Sequence, residues 1–255
     1  MNHPNTQTSE RRSHLAIDGG KPIRAEMLPY GHQSIDETDI EAVAQVLRSD
    51  WLTTGPEVTS FEEEFSAFVH APHAVAVTSG TAALHTAAFA AGLGAGDEAI
   101  VTALTFAATA NCVLYQGATV RFADVRPDTL NIDPASVESL IGPRTKAIVT
   151  VDYGGQPSDL AELLELARKH KLVLIEDASH AVGATYRGKR IGSWADLTTF
   201  SLHPVKQMTT GEGGILVTRH PELAARARTF RNHGITTDAR ERANAGSWVY
   251  EMVDL

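Results

Sequence analysis

Two hydrophobic periods alternate along this chain. Apolar residues recur every three to four positions over residues 36–47, through Ile40, Val43, Val46 and Leu47. They do so again over residues 58–68, through Phe61, Phe65 and Phe68. That spacing predicts amphipathic helices, and Asp36 stands where the first needs an N-cap. Short continuous apolar runs follow a different rule. Residues 74–77, 99–103, 119–124, 147–151, 172–175 and 215–217 are too short for helices and read as strands buried on both faces. Helical stretches are predicted between them, over residues 82–91, 107–116, 134–141, 160–170 and 221–230, the last with its arginines facing outward. Strands alternating with helices predict an α/β fold, a mostly parallel sheet with helices on both faces.

Two glycine-rich segments are punctuation. Residues 92–97, Gly-Leu-Gly-Ala-Gly-Asp, follow a helix and not a strand. They therefore read as a helix stop, not as a dinucleotide fingerprint. Residues 188–192 read as a solvated hairpin after a strand at 184–186.

Composition narrows the class. The 255 residues are 43% hydrophobic and 21% charged, as in an ordinary globular protein. A net charge of -9 argues against binding nucleic acid through a basic surface. The single cysteine, Cys112, cannot form an internal disulfide and falls in an apolar helical stretch. Residues 1–14 are polar and lead into no apolar core, so they read as a disordered tail and not as a signal peptide. No later run is long and apolar enough to span a bilayer. These features fit a cytoplasmic protein, and 255 residues suffice for one large domain or two small ones. No metal-ligand set is assigned.

Three segments carry candidate chemistry. Residues 199–214 hold Lys206 beside small and apolar residues, before Gly211-Glu212-Gly213-Gly214. A lysine at the end of an apolar strand can lose its proton through desolvation and form a Schiff base. Taken alone, the segment fits a solvated loop lysine equally well. The apolar run 172–175 leads into Glu176-Asp177-Ala178-Ser179-His180. The ends of parallel strands are where open α/β folds place ligands. A strand-end aspartate followed by a strand-end lysine is what pyridoxal 5'-phosphate (PLP) needs. The carboxylate pairs with the ring nitrogen and the amine carries the aldehyde. Asp177 also fits a helix N-cap, and the two roles are compatible. Thr78-Ser79-Gly80-Thr81 follows a strand and precedes an Ala-rich helix. Such a turn offers backbone N–H groups to a phosphate, with Gly80 allowing close approach and Thr81 and Ser201 adding hydroxyls.

The order of these segments, with Thr105-Phe106-Ala107-Ala108-Thr109-Ala110-Asn111 between them, resembles the DegT/StrS family of PLP-dependent nucleotide-sugar aminotransferases. The resemblance covers nearly all of the chain from about Leu15. Its narrower likeness is to the branch that acts on UDP-4-keto-6-deoxy sugars in pseudaminic acid biosynthesis. It rests on residues 104–111 and 177–181, on His203-Pro204-Val205-Lys206 and on Thr209-Thr210. The resemblance implies that residues 15–255 form the PLP-binding large domain of the type I, aspartate-aminotransferase-like fold, with PLP as cofactor and Lys206 and Asp177 as catalytic residues.

It implies that Phe106 stacks on the cofactor ring, against the plain alternative of a core phenylalanine. It places His180 beside the ring, where a satisfied core histidine is the alternative, and leaves His203 structural. Tyr30, Trp51 and Thr53 would border the nucleotide sugar, although Trp51 could equally be packing and Thr53 capping. The implied partners are glutamate as amino donor, a nucleotide-linked keto sugar, and a second copy of the chain in a homodimer. The implied reaction is that of a UDP-4-amino-4,6-dideoxy-N-acetyl-beta-L-altrosamine transaminase. Lys206 argues against the dehydratase branch, which carries histidine there. Relatives continue into an asparagine-donating segment and a small C-terminal domain, and both are expected to be absent here. The rival reading is therefore a catalytically incomplete PLP-binding fragment or regulatory family member. A short chain lacking those parts is expected to bind PLP weakly and to turn over little.

Overall fold

The computed structural model describes residues 15–29, 31–236 and 251–253. Contacts divide the chain into two units, residues 1–32 and 33–255. In the first unit the described residues hold one 3-10 turn, Ala16–Asp18, closed by Gly19 in the left-handed conformation.

The second unit opens with α1 (Glu37–Arg48) and α2 (Pro56–Val69). Asp36 caps α1 as its sequence position predicts. Its carboxylate accepts from the Thr38 and Asp39 amides at 2.8 and 3.2 Å, and the Asp39 carboxylate accepts from the Asp36 amide at 3.0 Å. The apolar face of α1 differs from expectation. Ile40, Val43 and Leu47 are all exposed. Periodicity identifies which face of a helix is apolar, but not what covers it. In α2 the pattern marks the core in part: Phe65 is buried and packs edge-on against Phe200 with centroids 5.1 Å apart, whereas Phe68 stays exposed.

A seven-stranded sheet follows, built from β1 (His73–Val77), β2 (Glu98–Thr102), β3 (Thr119–Ala123), β4 (Thr145–Val151), β5 (Val173–Asp177), β8 (Leu197–Ser201) and β9 (Gly214–Thr218). The short strands β6 (Thr185–Tyr186) and β7 (Lys189–Arg190) form the separate hairpin read from residues 184–192. The order across the large sheet is β1-β9-β8-β5-β4-β2-β3. Strand β9 runs antiparallel to both neighbours and every other pairing is parallel.

Both faces of the sheet are covered, which explains the unbroken apolar runs. Val101, Val149, Ile175, Leu197 and Leu216 point into one core with α3 (Gly80–Ala90), α4 (Ala107–Tyr115) and α7 (Pro221–Arg231). Ile100, Ile148 and Leu174 point the other way, against Leu163 and Leu164 of α6 (Leu160–His170) and Val137 of α5 (Pro134–Leu140). Phe200, Ile215 and Val217 share that second face with α2. Successive residues of one strand thus serve opposite cores.

Of the arginines of α7, Arg226 and Arg231 are exposed as expected and Arg228 is half-buried, yet Arg228 and Arg231 also reach back to the sheet. Arg228 donates to the Ala74 carbonyl at 3.1 Å, and Arg231 donates to the Ala76 carbonyl at 3.2 Å and pairs with Glu62. Glu62 in turn accepts from the Ala76 amide at 2.8 Å. Strand β1 is a sheet edge, so its outer backbone groups need partners. Side chains from α2 and α7 supply them.

Candidate active site

The C-terminal ends of the parallel strands converge on one edge of the sheet. There β1 leads into α3, β2 into α4, and β5 and β8 into loops. The sequence-predicted residues Gly80, Thr81, Phe106, Asp177, His180, Ser201 and Lys206 all lie at this edge or on the loops leaving it. Trp51 and Thr53 lie on the turn between α1 and α2. Tyr30 lies outside the described residues.

Asp177 is the last residue of β5 and only 3% exposed. No helix follows it within residues 178–184, so the N-cap alternative falls away. Its carboxylate instead ties two segments together. Oδ1 accepts from the Ser179 hydroxyl at 2.6 Å and the Ser179 amide at 3.2 Å. Oδ2 accepts from the Thr109 hydroxyl of α4 at 2.7 Å, and Thr109 accepts from the Thr105 hydroxyl at 2.7 Å. Strand alternation decides this geometry. Ile175 and Asp177 face α4, whereas Leu174 and Glu176 face α6.

Lys206 is not at the strand end itself. Strand β8 stops at Ser201, and Lys206 sits in the loop that joins it to β9. The loop is pinned at its base, where the Leu202 amide donates to the Gly213 carbonyl at 2.9 Å and the Thr210 amide to the Leu202 carbonyl at 3.1 Å. Half-buried, the Lys206 amine is held below its ordinary pKa by desolvation, against a smaller opposing pull from Asp177. His180 is also held low, first by desolvation and then by the Lys206 charge, with Asp177 opposing. Amine, imidazole and carboxylate therefore act on one another across the same edge. The Nδ1 atom of His180 is buried without a protein partner, which removes the reading of a satisfied core histidine.

The phosphate turn is tighter than its sequence suggests. Helix α3 begins at Gly80, so Gly80 and Thr81 are its first helical residues and Ser79 is the N-cap. The Ser79 hydroxyl accepts from the Ala82 amide at 3.1 Å. A Cβ on Gly80 would lie 2.8 Å from the Ser201 Cβ, so glycine lets the start of α3 lie directly against the end of β8. Gly214 meets the same turn from the other side, where a Cβ would lie 2.2 Å from the Ser79 carbonyl oxygen.

Phe106 precedes α4 and is 75% exposed at the strand-end edge, which rules out the core-phenylalanine alternative. Trp51 is 41% exposed, and its Cβ lies where a Cβ on Gly55 would collide. Thr53 is exposed and caps nothing, since the N-cap of α2 is Gly55 without a side-chain bond. Sequence reasoning missed the support around the site. Thr109 holds Asp177, and Gln207 donates to the His180 carbonyl. Gly155 lies so close to that carbonyl that a Cβ would come within 2.7 Å of it.

An open α/β sheet with one antiparallel strand, a lysine loop and a carboxylate at the strand ends, and a helix N-terminus beside them define a type I PLP-dependent transferase fold. The chain belongs to the DegT/DnrJ/EryC1/StrS aminotransferase family, which matches residues 33–252. It is 48% identical over 230 residues to the spore coat polysaccharide biosynthesis protein SpsC of Bacillus subtilis, covering 90% of this chain and 59% of that protein. It is 44% identical over 221 residues to the UDP-4-amino-4-deoxy-L-arabinose–oxoglutarate aminotransferase of Shewanella sediminis, covering 87% and 57%. Among solved structures it is similar to Helicobacter pylori PseC, an aminotransferase involved in the biosynthesis of pseudoaminic acid. That match has a TM-score of 0.82, 35% identity and coverage of 90% of this chain and 60% of that one. The chain thus spans about three fifths of the length of the curated relatives it matches.

PLP is the cofactor of this family, and solved members include a PLP-bound form. The residues at this edge fit the group. Asp177 has no ion-pair partner among the described residues, while both its oxygens are already oriented by hydroxyl donors. The amine of Lys206 is predisposed to lose its proton, and the cradle at Gly80 has no room for a side chain.

Proposed function

We propose that this chain carries the cofactor-binding part of a nucleotide-sugar aminotransferase. The reaction moves an amino group from glutamate to the ketone of a UDP-linked 4-keto-6-deoxy sugar, the altrosamine-type transamination of pseudaminic acid biosynthesis. The observation that carries the reading is the placement of Lys206 and Asp177 at one edge of the sheet. There a lysine amine below its ordinary pKa feels the charge of a carboxylate locked by Thr109 and Ser179. The similarity to PseC supports the pseudaminic branch, and the Shewanella enzyme's name supports glutamate and its keto acid as the donor pair.

Each residue then has a task. When bound, PLP supplies an electron sink for the charge left at the donor carbon. Asp177 holds a proton on the ring nitrogen, which keeps that sink effective. The Lys206 amine would hold the aldehyde and would move the proton of the donor carbon. Gly80 and Thr81 present helix-start amides to the phosphate, and the Ser201 hydroxyl adds a donor. Phe106 would cover one ring face and exclude water, and His180 would stand beside the ring with its Nδ1 available to the phenolic oxygen. Trp51 and Thr53, on the turn between α1 and α2, border the sugar. The working form is a cytoplasmic homodimer.

The test divides the reaction. The protein is loaded with PLP and given glutamate without sugar, and both the loss of the cofactor's absorbance band and the release of 2-oxoglutarate are followed. A panel of UDP- and dTDP-linked keto sugars then reports the acceptor. Failure of the glutamate half-reaction in PLP-loaded protein would overturn the assignment. Turnover only with dTDP sugars would overturn the UDP branch.

A further inference from the structure

Behind Asp177, on the other face of the sheet, lie two more carboxyl groups. Glu176 is the penultimate residue of β5, and Asp152 follows the end of β4. In the parallel register Thr150 pairs with Glu176 and Val151 with Asp177, so Asp152 lies diagonally beside Glu176 on the α6 side. Both residues are fully buried. Each has one oxygen anchored. Glu176 Oε2 accepts from the Thr198 hydroxyl at 2.8 Å, and Asp152 Oδ1 accepts from the Ser158 amide at 2.9 Å. The other oxygen of each, Glu176 Oε1 and Asp152 Oδ2, is buried with no donor, and no other carboxyl oxygen among the described residues is in that position. The register sets the two side chains beside each other on one face of the sheet, and each acts electrostatically on the other. Two facing acceptors cannot bond without a proton between them, and one proton satisfies both at once.

We propose that Asp152 and Glu176 share one proton and act together as a positioning pair for Asp177, fixing the end of β5 and keeping Asp177 the ionised carboxylate of the three. The mechanical half is visible in the backbone. The Asp152 amide donates to the Asp177 carbonyl at 3.0 Å, and the Ala178 amide donates to the Thr199 carbonyl at 2.8 Å. Glu176 bridges to β8 through Thr198, so the ends of β4, β5 and β8 are clasped on either side of Asp177. The electrostatic half follows from burial. Three charged carboxylates in one low-dielectric region repel strongly, and a proton retained on the pair relieves this without neutralising Asp177.

Burial, and then the charge of Asp177 beside them, raises both pair members, Asp152 to about 7. The pair's remaining negative charge in turn favours a positive ring nitrogen at Asp177. The pair's immediate partners on its own face are the Thr198 hydroxyl and the Ser158 amide, with Ser158 and Thr150 joined by a 2.7 Å hydroxyl bond. Around Asp177 the titratable groups are Lys206, His180 and Cys112 of α4. The Cys112 thiol is pushed up to about 12 by burial and by Asp177, so it stays neutral.

This inference rests on Asp177 serving the cofactor nitrogen, so the first measurement needs no cofactor. Infrared spectra of the cofactor-free protein at neutral pH should show a buried, protonated carboxylic acid that shifts in D2O, and Glu176→Gln should lose it. Absence of the band in the unmodified protein overturns the proposal even if the variant does not fold. Persistence of the band in Glu176→Gln also overturns it. The second measurement loads the protein with 15N-labelled PLP and titrates the ring nitrogen. In Glu176→Gln the amide replaces the shared proton and one negative charge remains, so the nitrogen should titrate as in the unmodified protein. Asp152→Asn with Glu176→Gln removes the charge, and the nitrogen should lose its proton at lower pH. A merely structural pair would leave that titration unmoved, and such a result overturns the link to Asp177. If the infrared band behaves as expected but the ring nitrogen is unprotonated in the unmodified protein, the role given to Asp177 has failed, and not the pair.

Discussion

The Thr109 hydroxyl of α4 donates to Oδ2 of Asp177 at 2.7 Å, although the residues are 68 positions apart in sequence. Thr105 donates to Thr109 in turn. This short relay sets the direction in which the carboxylate points. A hydrogen bond to a charged group contributes roughly 1.5–3 kcal/mol. Thr109→Val is therefore expected to lower the rate of the glutamate half-reaction by about tenfold to a hundredfold, since 1.4 kcal/mol is a factor of ten. Thr109→Ser keeps the hydroxyl and should restore most of that loss. Equal rates in the valine and serine variants would mean that the relay does not orient Asp177.

The Gly80–Ser201 contact predicts a pair effect on stability. In Gly80→Ala the new methyl would lie 2.8 Å from the Ser201 Cβ. Overpacking of this kind costs about 1–3 kcal/mol. Ser201→Gly removes the obstructing atom, so the double variant should recover much of the Tm lost by Gly80→Ala alone. Gly214→Ala should be the more severe change, because its methyl would meet the Ser79 carbonyl oxygen at 2.2 Å and backbone cannot be trimmed away. Thermal melts of the four variants form a double-mutant cycle with an internal control. Strict additivity between positions 80 and 201 would refute the contact.

Much of the fold was legible because local rules and packing agree. The apolar runs that became β2, β4, β5 and β9 are buried on both faces, and such runs have few other structures open to them. The position of a candidate residue was legible where it stands at a strand end, as Asp177 does. What stayed hidden depends on contacts between distant segments. Glu62 reads as one of three consecutive glutamates, yet it alone reaches the β1 edge. Asp152 reads as a turn residue until β4 and β5 are paired in register. Arg228 and Arg231 of α7 read as surface charges, and only the placing of the β1 edge beside α7 shows that they also serve its carbonyls.

That edge supplies a third prediction. Glu62 accepts from the Ala76 amide and pairs with Arg231, which also serves the Ala76 carbonyl. Glu62→Ala would leave a β1 amide without its donor-acceptor partner and release Arg231. An unsatisfied buried group costs about 1–3 kcal/mol, and an uncovered edge strand invites pairing with another chain. The variant should melt earlier and scatter more light on warming, whereas Glu63→Ala on the same helix should do neither. Unchanged scattering in Glu62→Ala would show that other features protect the edge.

Lys206 supplies the last prediction, which joins site and stability. Desolvation holds its amine below the ordinary value of 10.5. In the unfolded chain the amine returns to that value, so between the two the unfolded state binds the extra proton. Stability must then rise with pH across that window, and below it the folded protein bears the full cost of holding a partly desolvated charge. Lys206→Met removes that cost while keeping the apolar stem. The cofactor-free variant should therefore melt higher than the unmodified protein at neutral pH, with the gap closing as pH rises toward about 10. The same substitution should abolish the adduct formed when PLP-loaded protein is treated with borohydride, and peptide mapping of the unmodified protein should place that adduct on Lys206. A stability gap without loss of trapping would mean that another lysine carries the cofactor. Loss of trapping without a stability gap would leave the amine in place as the attachment point but exposed to water, with burial no longer the reason it gives up its proton.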